Sequence, residues 1–140
     1  MIEFIRENRN GKVGVVHLVD DVFRRIHGFF VDVDEKCVIL NLIESAAFCM
    51  NGWEAIRLDV IEEINVYAEE DHWPNQACRD FGMEPVPLPN DLSCGFVPLL
   101  KGFERTSELV AIHCDYEDDD YEIGIVSSVA DDKITLRTVG

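Results

Sequence analysis

The chain is 140 residues long and 47% apolar, with 28 acidic side chains against 12 basic ones. That length suits one domain or two very small ones, and the apolar fraction excludes a disordered chain despite the net charge of −16. Acids outnumber bases in every segment (14 to 7 over 1–70, 5 to 2 over 71–104, 9 to 3 over 105–140), so no segment is basic and binding to nucleic acid or an anionic membrane is not expected.

In chain order, Ile2 to Arg9 reads as a short helix or strand, closed by the Asn10-Gly11 turn signal. Acid and base interrupt its apolar residues, so no signal peptide is expected. No apolar run approaches the ~20 residues of a membrane helix. A cytoplasmic protein is the expectation. Lys12–Leu18 is β-branched and strand-like, as is Ile26–Val33, with Asp34-Glu35-Lys36 as a hairpin loop. Cys37–Ile43 is a nearly unbroken apolar run, as in a strand buried on both faces. Asn51-Gly52 between two strand-like runs predicts a type I′ hairpin, because both turn residues must tolerate positive φ. A helical turn over Asp59–Glu63 and a strand at Ile64–Tyr67 follow. Pro74 fits the first turn of a helix ending at Gly82. Pro85, Pro87 and Pro89 extend the chain, a helical stretch covers Asp91–Phe103, and strands return at Leu109–Cys114, Glu122–Ser127 and Lys133–Val139.

Residues 12–43 align without gaps with 108–139, an offset of 96. Val15-Val16-His17 falls on Ala111-Ile112-His113, Gly28 on Gly124, Val33 on Val129 and Leu40 on Leu136. The expected organisation is therefore a first β unit over 1–70, a helical and Pro-rich connector over 71–105, and a partial second copy over 106–140. That copy is packed on the first or completed by a partner chain. Phe81, Met83, Leu88 and Leu92 are expected to cover the open face between the copies.

The stretch Gly28–Tyr67 resembles the Sm and Sm-like proteins. Gly28 and Asp34 stand six positions apart before the apolar strand Cys37–Leu42, and Ala55-Ile56-Arg57-Leu58-Asp59-Val60-Ile61 follows the outline of the second motif. The resemblance implies a mainly β protein: a small, bent, SH3-like barrel behind an N-terminal helix, here with an internal partial repeat and short helices. It also implies edge-to-edge homo-oligomers, a dimer or a ring. RNA-binding members carry Asn where this chain has Val38, and Gly where it has Leu58, so the uridine pocket is not expected.

Five cysteines (Cys37, Cys49, Cys78, Cys94, Cys114) show no Cys-x-x-Cys spacing and read as reduced, buried residues. No Gly-x-Ser-x-Gly elbow, Gly-rich phosphate loop or His-Glu-x-x-His occurs. No catalytic residue, metal or cofactor is expected. Six acids crowd into eight residues at Asp115-Tyr116-Glu117-Asp118-Asp119-Asp120-Tyr121-Glu122. Asp115 to Tyr121 read as a solvated loop or a docking site for a basic protein partner, with tyrosines supplying contact area. Trp53 and Trp73 read as interface anchors or core. The favoured function is a non-catalytic, self-associating interaction or scaffold module. The alternatives are an acidic inhibitor or immunity-type protein, and a degenerate Sm-like RNA binder.

Overall fold

The computed structural model describes residues 1–9, 11–19, 21–44, 46–89, 92, 95–113, 121–131 and 133–138, with backbone alone at 21–24, 113 and 121. It is mainly β, with two antiparallel sheets and three α-helices among those residues. The chain divides into two compact units, Met1–Leu88 and Pro89–Gly140. The division falls inside the stretch 71–105 that the sequence marks as a connector. No helix among the described residues is long and apolar enough to cross a membrane.

In the first unit, α1 (Ile2–Glu7) precedes β1 (Gly14–Leu18), β2 (Asp21–Val33), β3 (Cys37–Glu44), β4 (Cys49–Arg57), a 3-10 turn (Leu58–Val60) and β5 (Ile61–Val66). The sheet order is β4-β3-β2-β1-β5. β1 pairs with the first half of β2 and β3 with the second half, and Gly28 belongs to both ladders. Arg57 therefore lies near the C-terminal end of β2, through Cys37, and Ile61 near its N-terminal end, through Leu18 and Asp21. In a flat sheet those ends would be about 40 Å apart, at ~3.3 Å per residue. The four peptide units from Arg57 to Ile61 reach about 15 Å at most. The sheet must therefore bend back on itself. Among the described residues its edges β4 and β5 share no ladder.

Gly28 permits the bend: a Cβ there would meet the Asn41 carbonyl oxygen at 2.5 Å. A bulge at Val31, where Phe30 faces Leu40 but Asp32 faces Ile39, adds twist just beyond it. The Asp34 carboxylate closes the β2–β3 turn by accepting from Lys36 N–H at 2.8 Å and Cys37 N–H at 2.7 Å. The bend wraps Val16, Phe30, Val38, Leu40 and Ile56 around a core capped by Ile5 of α1.

The Asn51-Gly52 hairpin is corrected by the structure. Both residues lie within β4, opposite Leu42 alone: Asn41 pairs with Trp53 and Ile43 with Met50. Gly52 does take the positive φ of 72° that the signal implies, but it spends it on a bulge. Buried Asn41 holds that bulge by donating from Nδ2 to the Gly52 carbonyl at 2.9 Å. The chain reverses between Glu44 and Cys49, where Phe48 adopts a φ of 49°. Cys49 is exposed, against expectation, because this reversal sets it at the mouth of the hairpin; Cys37 and Cys78 are buried.

The second unit places α3 (Phe96–Thr106) before β6 (Leu109–His113), β7 (Tyr121–Val129) and β8 (Ile134–Thr138), in the order β6-β7-β8. α3 packs on the central strand β7, as α1 does on β2. The ladders repeat those of the first unit at an offset of 96. Gly14–Gly28 becomes Val110–Gly124, and Gly28–Leu42 becomes Gly124–Thr138. The bulge repeats as well, Val31 becoming Ser127 between Val126–Leu136 and Ser128–Thr135. Gly124 has the same necessity as Gly28: a Cβ would stand 2.7 Å from the Arg137 carbonyl oxygen.

Candidate functional site

The most conspicuous surface of the first unit is built on α2 (Trp73–Phe81). Pro74 starts this helix without losing a hydrogen bond, and Gly82 ends it with a φ of 67°. Met83 N–H then returns to the Cys78 carbonyl at 2.8 Å. One face of α2, carrying Cys78, packs with Val13, Phe29 and Met83 in a second small core. Asn75 fastens that face to the sheet. Its Oδ1 accepts from Val13 N–H at 3.0 Å, and its Nδ2 donates to the carbonyls of Tyr67 at 2.7 Å and Glu69 at 2.9 Å.

With that face committed, the ends of the helix present aromatic rings to solvent. Trp73 is 56% exposed and Phe81 60%. Phe81 stacks on Phe48, with ring centroids 4.7 Å apart and planes 10° from parallel. It thus pairs with the β3–β4 turn while most of its ring stays open to water. Met83 is buried in the small core of the first unit. Trp53, 38% exposed, donates its indole N–H to the Val86 carbonyl at 3.0 Å. Val86 N–H in turn donates to Asn41 Oδ1 at 2.7 Å, so the segment trailing α2 is held to β3 and β4.

Between Trp73 and Phe48 lies a small apolar cleft lined by Val13, His27, Ile43, Ala77 and Met83. Its polar wall is His27, half-buried on β2. His27 stacks on Tyr67 with centroids 5.9 Å apart, and its Nε2 lies 3.1 Å from the Tyr67 hydroxyl. Trp73 tilts toward the same imidazole at 6.3 Å, and His72 meets Tyr67 edge-on at 5.8 Å. Burial lowers the pKa of His27 from 6.5, and the neighbouring positive charges of Arg25 and His17 lower it further. In the neutral form, the tautomer protonated at Nδ1 lets Nε2 accept from the Tyr67 hydroxyl, and the other tautomer donates to it.

The folded state thus binds fewer protons at His27 than the unfolded chain does. The associated stability is fully present above pH 6.5 and is lost as pH falls through the lowered folded value. Thermal melts at about pH 7.5 and about pH 5.5 should show wild type losing more stability on acidification than His27→Phe, which has no proton to gain. Equal losses would disprove the assignment.

Of the side chains singled out by sequence, Trp53 and Trp73 both lie on this unit, partly exposed and oriented by neighbours. Tyr121 opens β7 opposite His113, and Asp115, Tyr116, Glu117, Asp118, Asp119 and Asp120 lie outside the described residues. Arg57 meets the carboxylate of Asp59 at the surface. Phe48, His27 and Tyr67 were not marked by any sequence signal. Two of them sit in strand-like patterns, and the third precedes a strand at a positive φ that nothing nearby foretells. Among the described residues, no three His, Cys, Asp or Glu side chains converge as metal ligands. Comparison with protein-family models, curated proteins and solved structures finds no match.

Proposed function

We propose that this protein is a non-catalytic interaction module that self-associates, and that the aromatic surface of its first unit is one of its contacts. The observation that carries this reading is the set Trp73, Phe81, Phe48 and Trp53: large rings left in water, yet held in place by stacking and hydrogen bonds. Rings of this kind lose little conformational freedom on association and dominate binding energies when covered. His27, beside Trp73, is hydrogen-bonded to the Tyr67 hydroxyl.

The same reading takes the first unit as a small barrel of Sm-like type. Supporting it are a helix followed by five antiparallel strands, and the positions of Gly28 and Asp34, the one at the bend of β2 and the other closing the turn after it. Val38, where RNA-binding members carry Asn, is fully buried, which favours protein over RNA as the contact.

Light scattering on a size-exclusion column tests the reading. Wild type is expected to exceed the 15.9 kDa of one chain, and Trp73→Ser with Phe81→Ser to lower the mass. Wild type at 15.9 kDa across all concentrations would overturn self-association. An associated wild type whose mass the double variant leaves unchanged would remove the aromatic contact.

A further inference from the structure

The ladders of the second unit copy those of the first, but their neighbours differ. In the first unit β1 has β5 on its far side and β3 has β4. Their counterparts β6 and β8 have no further strand among the described residues. Apolar side chains at equivalent positions are correspondingly open. Val16 is fully buried and its counterpart Ile112 partly exposed; Val38 and Leu40 are fully buried, whereas Ile134 and Leu136 are partly exposed.

The outer edges also differ in charge. β5 carries Glu62 and Glu63 and β4 carries Glu54, and such charges blunt an edge against pairing. In a chain with 28 acids, β6 (Leu-Val-Ala-Ile-His) and β8 (Ile-Thr-Leu-Arg-Thr) contain none.

We propose that a second copy of this chain completes the second unit, β6 of each copy pairing with β8 of the other about a two-fold axis. The proposal rests on the self-association read above and names a surface for it. A second copy is favoured over a single foreign strand because a two-fold exchange pairs the outer edges of β6 and β8 in both copies, all four without a further strand among the described residues, whereas one added strand pairs a single edge. It also brings Val110 and Ile112 of one copy beside Ile134 and Leu136 of the other, so the partly exposed apolar residues cover each other.

The signature is electrostatic. Two chains of −16 repel, so added salt should strengthen the pairing, whereas a basic partner would be released by salt.

The test is light scattering of the full chain at low and high salt. Ala111→Lys with Thr135→Lys places a lysine at an exposed position on each edge strand. Glu62→Lys on β5 makes the same change of net charge in the first unit. The double variant is expected to halve the mass of wild type with unchanged far-UV circular dichroism. Glu62→Lys should keep the wild-type mass, and wild type should gain mass with salt. An unchanged mass in the double variant, or an equal loss in Glu62→Lys, would overturn the edge assignment and leave self-association standing. A monomeric wild type would overturn both.

Discussion

Gly28→Ala should destabilise the first unit by about 3 kcal/mol, at the upper end of what overpacking a close contact costs. The added carbon would meet the Asn41 carbonyl oxygen at 2.5 Å and Leu40 Cβ at 3.3 Å. The carbonyl belongs to the backbone and cannot rotate away, so β2 and β3 must separate where the sheet bends. Both tryptophans, Trp53 and Trp73, lie in the first unit, so denaturant unfolding followed by tryptophan fluorescence reports this loss directly. Gly124→Ala should act comparably in the second unit, with its Cβ 2.7 Å from the Arg137 carbonyl oxygen, and far-UV circular dichroism should register it. A Gly28→Ala midpoint equal to that of wild type would contradict the bend assigned to this residue.

Asn75→Ala should cost a comparable amount, about 3 kcal/mol, for a different reason. The side chain makes three hydrogen bonds, and its removal leaves Val13 N–H and the carbonyls of Tyr67 and Glu69 to find other partners at a buried site. Amide exchange at Val13 should accelerate along with the loss of melting temperature. Asn75→Asp should not rescue the site at neutral pH, since a carboxylate oxygen would face two carbonyls. Those carbonyls would raise the pKa of the new acid. Its protonated form would therefore contribute stability below the unfolded-state pKa, and that stability would be lost as pH rises through the folded one. Unaltered exchange at Val13 in Asn75→Ala would show that the tether is not needed.

Much of the strand plan was legible because local chemistry and tertiary role coincide. The run Cys37–Ile43 is apolar apart from Asn41 and lacks alternation because side chains on both faces of β3 are covered, its first five residues being buried. Gly82 ends α2 as its freedom of φ predicts. Asn51-Gly52 misled because a glycine signal specifies a positive φ without specifying what the φ is for. Pairing across from buried Asn41 decided in favour of a bulge. The aromatic surface was legible only in its tryptophans. Whether Phe81 ends inside or outside depends on which face of α2 Asn75 turns to the sheet, and side-chain type does not encode that. The 96-residue offset was visible as a faint pattern of apolar positions; the equality of register, bulge included, needed the backbone.

Two halves built on one register create a hazard during folding, because a strand of one copy can be offered to the ladder of the other. Charge placement opposes this. Were β8 to settle in the slot of β3, Lys133 would occupy the place of fully buried Cys37, and Arg137 that of Asn41, which is 1% exposed. Each would enter the interior as a lone cation, at a cost of several kcal/mol. In its own unit each stays exposed. The two basic residues therefore act as proofreading marks, admitting the strand to its own ladder and penalising the exchange when the chain refolds.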